Sequence, residues 1–167
     1  VSPYASAAQR QALRQLLADT AAIIRGADNA GNILSAYDAA MTALTSPELL
    51  RQAVAAAEEK LAALYKAARK AYPYIAEELN ALYKKQCAAL ADCTAAAETD
   101  TVLDGFAAGV VDGLLLAMDG ITMKELEERL PAAESAAAAL TDTQRGMLLH
   151  YGRLPDLQAL LALYRQS

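Results

Sequence analysis

Few side chains in this chain could carry out acid–base or metal chemistry. The sequence holds one histidine, His150, and two cysteines, Cys87 and Cys93. Zinc frameworks need about four converging His, Cys or carboxylate ligands, so most of them are excluded here. His150 also lacks a carboxylate at Glu-x-x-His spacing, since position 147 is Met147. We interpret His150 as a structural or exposed residue in a short helix, and not as a ligand or a base.

The paired glutamates do not indicate a two-carboxylate site. The members of each pair are adjacent, so on a helix they point in different directions. We interpret all three pairs as solvent-facing: Glu58 with Glu59, Glu77 with Glu78, and Glu127 with Glu128. Because no other catalytic cluster is present, the sequence predicts a protein that is not an enzyme and that binds no cofactor or metal.

The two cysteines are predicted to be free thiols. They are six residues apart, which on a continuous helix is about 9 Å of rise. That separation exceeds the limit of about 7 Å between the Cα atoms of a disulfide. The pattern predicts such a helix over 74–97, with both thiols acting as partly buried apolar side chains.

Three glycines, Gly105, Gly109 and Gly113, recur at four-residue spacing inside a predicted apolar helix. Each costs about 1 kcal/mol relative to alanine, so a compensating contact is expected. They share one sector of the helix, beside Asp112 and Asp119. Two interpretations stay open: another helix packs closely on the glycines, or they bind a partner subunit or a ligand. A different arc is expected to face the core: Leu103, Phe106, Val110, Leu114 and Met118.

Four tyrosines surround Pro73: Tyr65, Tyr72, Tyr74 and Tyr83. A tyrosine combines an apolar ring with a polar hydroxyl, which suits the edge of a core as well as a binding pocket. Tyr72 and Tyr74 are therefore candidates for lining an apolar pocket. The alternative is that these rings belong to the core and that their hydroxyls reach the surface.

The elements that must position these residues are predicted to be helices. Alanine and leucine, both strong helix formers, are the commonest residues, whereas the strand-favouring Val, Ile, Phe and Trp are scarce. The sequence predicts an all-α, single-domain bundle of roughly six to eight helices over 1–167, with the longer helices in the first half. If the chain divides, we expect the division near 98–101, between 1–97 and 102–167.

Helix boundaries in the first half follow from capping and turn residues. A first helix is predicted from Ser6 to Gly26, followed by a turn at 27–32 and a second, shorter helix. Thr45, Ser46 and Pro47 are typical of a helix start. Pro73 kinks the third helix or separates it from a fourth, and an acidic first turn just beyond it favours separation.

The second half is predicted to contain shorter pieces. After the polar break at 98–101, a fifth helix is expected from about Thr101 to Asp119, with a stop at Gly120. Capping boxes are expected at two places, Thr122 with Glu125 and Thr141 with Gln144. Pro131 ends or kinks the first of the helices that follow, Gly152 stops the second, and Pro155 begins the last.

The charge and the apolar runs narrow the classes of partner. The net charge is −5 and the pI about 4.9, without the clustered Lys and Arg that neutralise phosphates, so nucleic-acid binding is not expected. No run reaches the roughly 18–20 apolar residues of a membrane span. The sequence begins at Val1 and leaves the compartment open between cytoplasm and export with a leader removed.

Two functions remain after these exclusions. The first is a non-catalytic helical module that binds a protein partner or a second copy of itself through helix faces. The second is a bundle that binds a small apolar molecule in a pocket between helices near Tyr72, Tyr74 and Phe106. The candidate binding residues are Gly105, Gly109, Gly113, Tyr72 and Tyr74.

Overall fold

A computed structural model describes residues 11, 14–16, 18–19, 21–22, 34–35, 38–39 and 47–166 of the chain. Over 47–166 it contains six α-helices: α1 (Pro47–Ala71), α2 (Ala76–Ala91), α3 (Glu98–Leu116), α4 (Met123–Ala138), α5 (Asp142–Arg145) and α6 (Arg153–Gln166). None of the described residues lies in a strand. The prediction of an all-α bundle with its longer helices in the first half is confirmed. The boundaries predicted at Ser6, Gly26, 27–32 and Thr45–Ser46 lie outside the described residues.

The break at Pro73 separates two helices, as the sequence favoured. Helix α1 ends at Ala71, a 3-10 helix spans Pro73–Ile75, and α2 begins at Ala76. Proline has no backbone N–H to continue the helical ladder, so the chain turns here. Glu77 and Glu78 occupy the first turn of α2, where they complement the positive end of the helix dipole.

The predicted helix over 74–97 is wrong at its end, and the predicted break at 98–101 lies too late. Helix α2 stops at Ala91, and α3 already begins at Glu98. The Glu98 carboxylate explains this boundary, because it accepts hydrogen bonds from the backbone N–H groups of Thr94 (2.6 Å) and Ala95 (3.1 Å). A side chain that satisfies the N–H groups before a helix caps that helix.

Both capping boxes of the second half are confirmed. Thr122 and Glu125 exchange side-chain and backbone hydrogen bonds at the start of α4, and Thr141 and Gln144 do so at the start of α5. Pro131 lies inside α4, which continues through it to Ala138. Helix α5 ends at Arg145, so the stop predicted at Gly152 is wrong.

The described residues group into two compact units. The first takes them from Val1–Leu61 and Cys87–Leu103, and the second from Ala62–Gln86 and Asp104–Ser167. The prediction of one domain over 1–167, divisible near 98–101, is not decided by this grouping and stays a prediction. The buried apolar side chains of the first unit are small or aliphatic: Ala53, Ala57, Leu61, Leu90 and Leu103.

Most of the buried apolar side chains among the described residues belong to the second unit. All five side chains of the predicted core-facing arc are buried, from Leu103, which belongs to the first unit, to Met118. Helix α4 contacts α6. The order of the hydrogen-bonded residue pairs along the two helices shows that they run antiparallel. Glu134 accepts a hydrogen bond from Gln158 (2.7 Å), while Glu127, earlier in α4, binds Arg165, later in α6 (2.8 Å).

Candidate interaction surface

The glycine row of α3 is packed against side chains of the same chain. A Cβ atom placed on Gly109 would lie only 2.7 Å and 2.8 Å from the two terminal methyl carbons of Leu82. On Gly105 it would lie 3.4 Å from Nε2 of Gln86, and on Gly113 it would lie 3.7 Å from Cδ1 of Ile75. Favourable carbon–carbon contacts begin near about 3.5 Å, so only Gly109 is too crowded for a side chain in the present arrangement.

The row therefore contains one glycine, Gly109, that leaves no space for a Cβ atom, and two, Gly105 and Gly113, that do leave space. The prediction of a close approach is confirmed at Gly109, where Leu82 of α2 lies against the glycine. It is wrong at Gly105 and Gly113, where an added Cβ would lie 3.4 Å and 3.7 Å from its nearest neighbour. The interpretation of the row as a surface for a partner or ligand stays a prediction.

The tyrosines near Pro73 make two separate sets of contacts. Tyr65 and Tyr83 stack with their ring centroids 4.4 Å apart and their planes 11° from parallel. The Tyr65 hydroxyl accepts a hydrogen bond from Arg69 (3.4 Å) and donates one to Asn80 (3.5 Å). These contacts join the end of α1 to α2 within the second unit.

Tyr74 instead meets α4. The Arg129 guanidinium lies 4.6 Å from the centre of the Tyr74 ring, within the range of a cation–π contact. Burial raises the pKa of the Tyr74 hydroxyl, and the nearby Arg129 charge offsets part of that rise. Tyr74 keeps 37 % of its surface exposed and Tyr72 is half-buried. Their assignment to a ligand pocket stays a prediction.

Three carboxylates bind α5, α6 and the segment between them: Asp104 and Asp112 of α3, and Asp119 in the turn that follows α3. We call this set the acidic row. Asp104 accepts a hydrogen bond from the Gln144 side chain (2.8 Å), and Asp119 forms an ion pair with Arg153. Asp112 accepts from the backbone N–H groups of Leu149 (3.0 Å) and His150 (2.9 Å).

The contact with Asp112 corrects the interpretation of His150. This residue lies in a bend, and not in the predicted short helix, because its N–H is bonded to a carboxylate 38 residues away. Sequence spacing placed Asp112 and Asp119 beside the glycines but gave no sign of what they bind. Among the residues that the structure describes, no group of three or more His, Cys, Asp or Glu could hold a metal ion.

Both cysteines are free thiols, which confirms that prediction. Cys93 lies beyond the end of α2, where its thiol donates a hydrogen bond to the Ala89 carbonyl (3.3 Å). Burial, together with the charges of Glu98 and Asp92, raises the pKa of the Cys93 thiol. A raised thiol pKa lowers the fraction of thiolate, which is the reactive form.

Among the described residues, three exposed apolar side chains lie together on α6. Leu160, Leu163 and Tyr164 are 44 %, 66 % and 49 % exposed. Their spacing of three and four residues places them on one side of the helix, which we call the α6 apolar face. Another side of α6 is buried at Leu154 and Leu161. In the sequence, apolar residues occur around most of this helix, a pattern that leaves some of them exposed when one side is buried. Our sequence analysis did not identify this exposed side.

No described helix combines the length and the apolar character that crossing a membrane requires. Comparison with family models, with curated proteins and with solved structures finds no match for this chain.

Proposed function

We propose that the chain is a non-catalytic interaction module and that the α6 apolar face binds the same face of a second copy. The observation that carries the proposal is the exposure of Leu160, Leu163 and Tyr164 along one helix face. Large apolar side chains that form a continuous exposed patch commonly mark an interaction site, whereas isolated ones do not.

The order of residues on α6 supports a second copy as the occupant. Leu157, which is half-buried and borders the α6 apolar face, lies three residues before Leu160, and Leu163 lies three residues after it. In an antiparallel pair of α6 helices centred on Leu160, each Leu163 meets Leu157 of the other copy. A two-fold interface requires this kind of self-complementary surface. Within each chain, α4 and α6 already pack in the antiparallel direction.

The expected dimer is weak. Complete burial of a leucine side chain contributes about 1.5–3 kcal/mol, so six roughly half-exposed side chains, three from each copy, would contribute about 5–9 kcal/mol. Association itself costs about 4 kcal/mol or more. The difference is at most about 5 kcal/mol, and we propose a value near its upper end, about 4 kcal/mol. This value predicts a reversible dimer whose population depends on protein concentration.

Analytical ultracentrifugation across a concentration series tests this function. The wild-type chain should change from monomer to dimer, and Leu163→Glu should stay monomeric because each interface would then bury two carboxylates. Leu149→Glu is the matched control, since Leu149 is 83 % exposed and lies outside α6; this variant should dimerise like the wild type. Circular dichroism should give the same helix content for all three proteins.

Two results would contradict the proposal. One is a wild-type protein that stays monomeric up to about 1 mM, the concentration at which an association of about 4 kcal/mol is half complete. The other is a dimer that Leu163→Glu leaves intact, since the interface would then lie elsewhere on the chain.

A further inference from the structure

Residues 146–152, which we call the strap, connect α5 to α6 and are held on α3 mainly by polar contacts. No residue between Arg145 and Arg153 is buried, whereas the flanking residues Gln144 and Leu154 are. A Cβ atom placed on Gly152 would meet nothing within 4 Å. Met147, Leu148 and His150 are half-buried, so apolar burial, the main stabilising contribution in most folded segments, is weaker along the strap than at Leu154 beyond it.

The middle of the strap is bonded to one buried carboxylate. Asp112 is 9 % exposed and accepts the N–H groups of Leu149 and His150 at 3.0 Å and 2.9 Å. The ends are held by the two other members of the acidic row, since Gln144 binds Asp104 and Arg153 binds Asp119. Hydrogen bonds to an ionised carboxylate are stronger than those between neutral groups.

We propose that the strap opens from α3 while the rest of the second unit stays folded, and that Asp112 is the latch that keeps it closed. The flanking contacts limit the opening to 146–152, because Gln144 and Leu154 are anchored by burial. Opening uncovers the Asp112 carboxylate and the two N–H groups that it binds. The strap is thus a conformational device of the fold, and it does not depend on association between copies.

Amide hydrogen exchange measured by NMR in increasing, sub-denaturing guanidinium tests the latch. In the wild-type protein, the amides of Leu149 and His150 should exchange at rates nearly independent of denaturant, because a small opening exposes little surface. The amide of Leu114, in the buried part of α3, should instead exchange through an opening that denaturant promotes strongly.

Asp112→Ala should accelerate exchange at Leu149 and His150 by about tenfold to a hundredfold, as expected from the loss of charge-assisted hydrogen bonds. Exchange at these two amides should stay nearly independent of denaturant, while Leu114 keeps its strong denaturant dependence. Asp112→Asn keeps one acceptor oxygen and the side-chain shape, so it should cause a smaller acceleration of the same two amides. The control is Asp156→Ala, which removes an exposed carboxylate near the strap and should change none of these rates.

The proposal is overturned if the wild-type strap amides and Leu114 share one denaturant dependence, because the strap would then open only with the whole unit. It is also overturned if Asp112→Ala or Asp112→Asn leaves exchange at Leu149 and His150 unchanged. The same holds if either variant gives the strap amides the strong denaturant dependence of Leu114. If both Asp112 variants fail to fold, the wild-type denaturant dependence alone decides the outcome.

Discussion

Gly109 offers the sharpest test of how α3 is packed. An alanine there would place its Cβ 2.7 Å and 2.8 Å from the terminal methyl carbons of Leu82 and 3.4 Å from its Cγ. Leu82 must therefore move, and because the crowded carbons end a half-buried side chain, a change of its rotamer that costs about 0.5–1.5 kcal/mol is enough. Replacing glycine by alanine in a helix contributes about 1 kcal/mol in the opposite direction. Gly109→Ala should therefore change the free energy of unfolding by less than about 1 kcal/mol.

Gly113→Ala is the matched control on the same helix. Its Cβ would lie 3.7 Å from Cδ1 of Ile75, which is an ordinary contact. The helix-propensity gain then acts without crowding, so Gly113→Ala should raise the free energy of unfolding by about 1 kcal/mol. Denaturant unfolding followed by circular dichroism measures both variants, and their difference isolates the contact with Leu82.

A double-mutant cycle identifies that contact directly. In a Leu82→Ala background the crowding methyl carbons are absent, so Gly109→Ala should become stabilising by about 1 kcal/mol. The reasoning is refuted if Gly109→Ala stabilises the wild-type chain as much as Gly113→Ala does. An effect of Gly109→Ala that is independent of residue 82 would refute it equally.

Three further predictions concern the fold, the thiols and acid stability. Far-ultraviolet circular dichroism should show a helical spectrum, and substantial strand content would contradict the all-α fold. Titration of the unfolded, unreduced protein should find two thiols per chain, Cys87 and Cys93, and a count of zero would mean a disulfide. Backbone hydrogen bonds from Thr94 and then Ala95 lower the pKa of Glu98 below its usual 4.5. The stabilisation by Glu98 should therefore be complete above about pH 4.5 and disappear as the pH falls through the lowered folded-state pKa. The destabilisation caused by Glu98→Gln should shrink over that range, and a pH-independent effect would exclude this role.

The features predicted correctly from the sequence depend on neighbouring residues. The capping boxes at Thr122 and Thr141 each join residues three apart, so their sequence spacing is sufficient to find them. Pro73 acts through its own ring and missing N–H. The start of α3 was misplaced by three residues because the Glu98 carboxylate also caps from four residues away, at Thr94.

The features that the sequence could not supply depend on distant residues. The bend at His150 forms because Asp112 binds its N–H, and helical periodicity carries no information about that pairing. The crowding at Gly109 likewise depends on which side chain of α2 faces α3. Four-residue glycine spacing predicted a close approach, but only the packing distinguishes Gly109 from Gly113. The exposed side of α6 could be recognised only once Leu154 and Leu161 were seen to be buried.

The acidic row also affects the order in which parts of the chain fold during synthesis. Asp112 is made 37 and 38 residues before the two N–H groups that it binds, and Asp104 is made 40 residues before Gln144. Until those partners emerge, both carboxylates can stay hydrated while another side of α3 packs on α2, where Leu82 lies against Gly109. The strap therefore closes onto α3 only late in synthesis, and a nascent chain paused before residue 144 would leave the strap-facing side of α3 open to water.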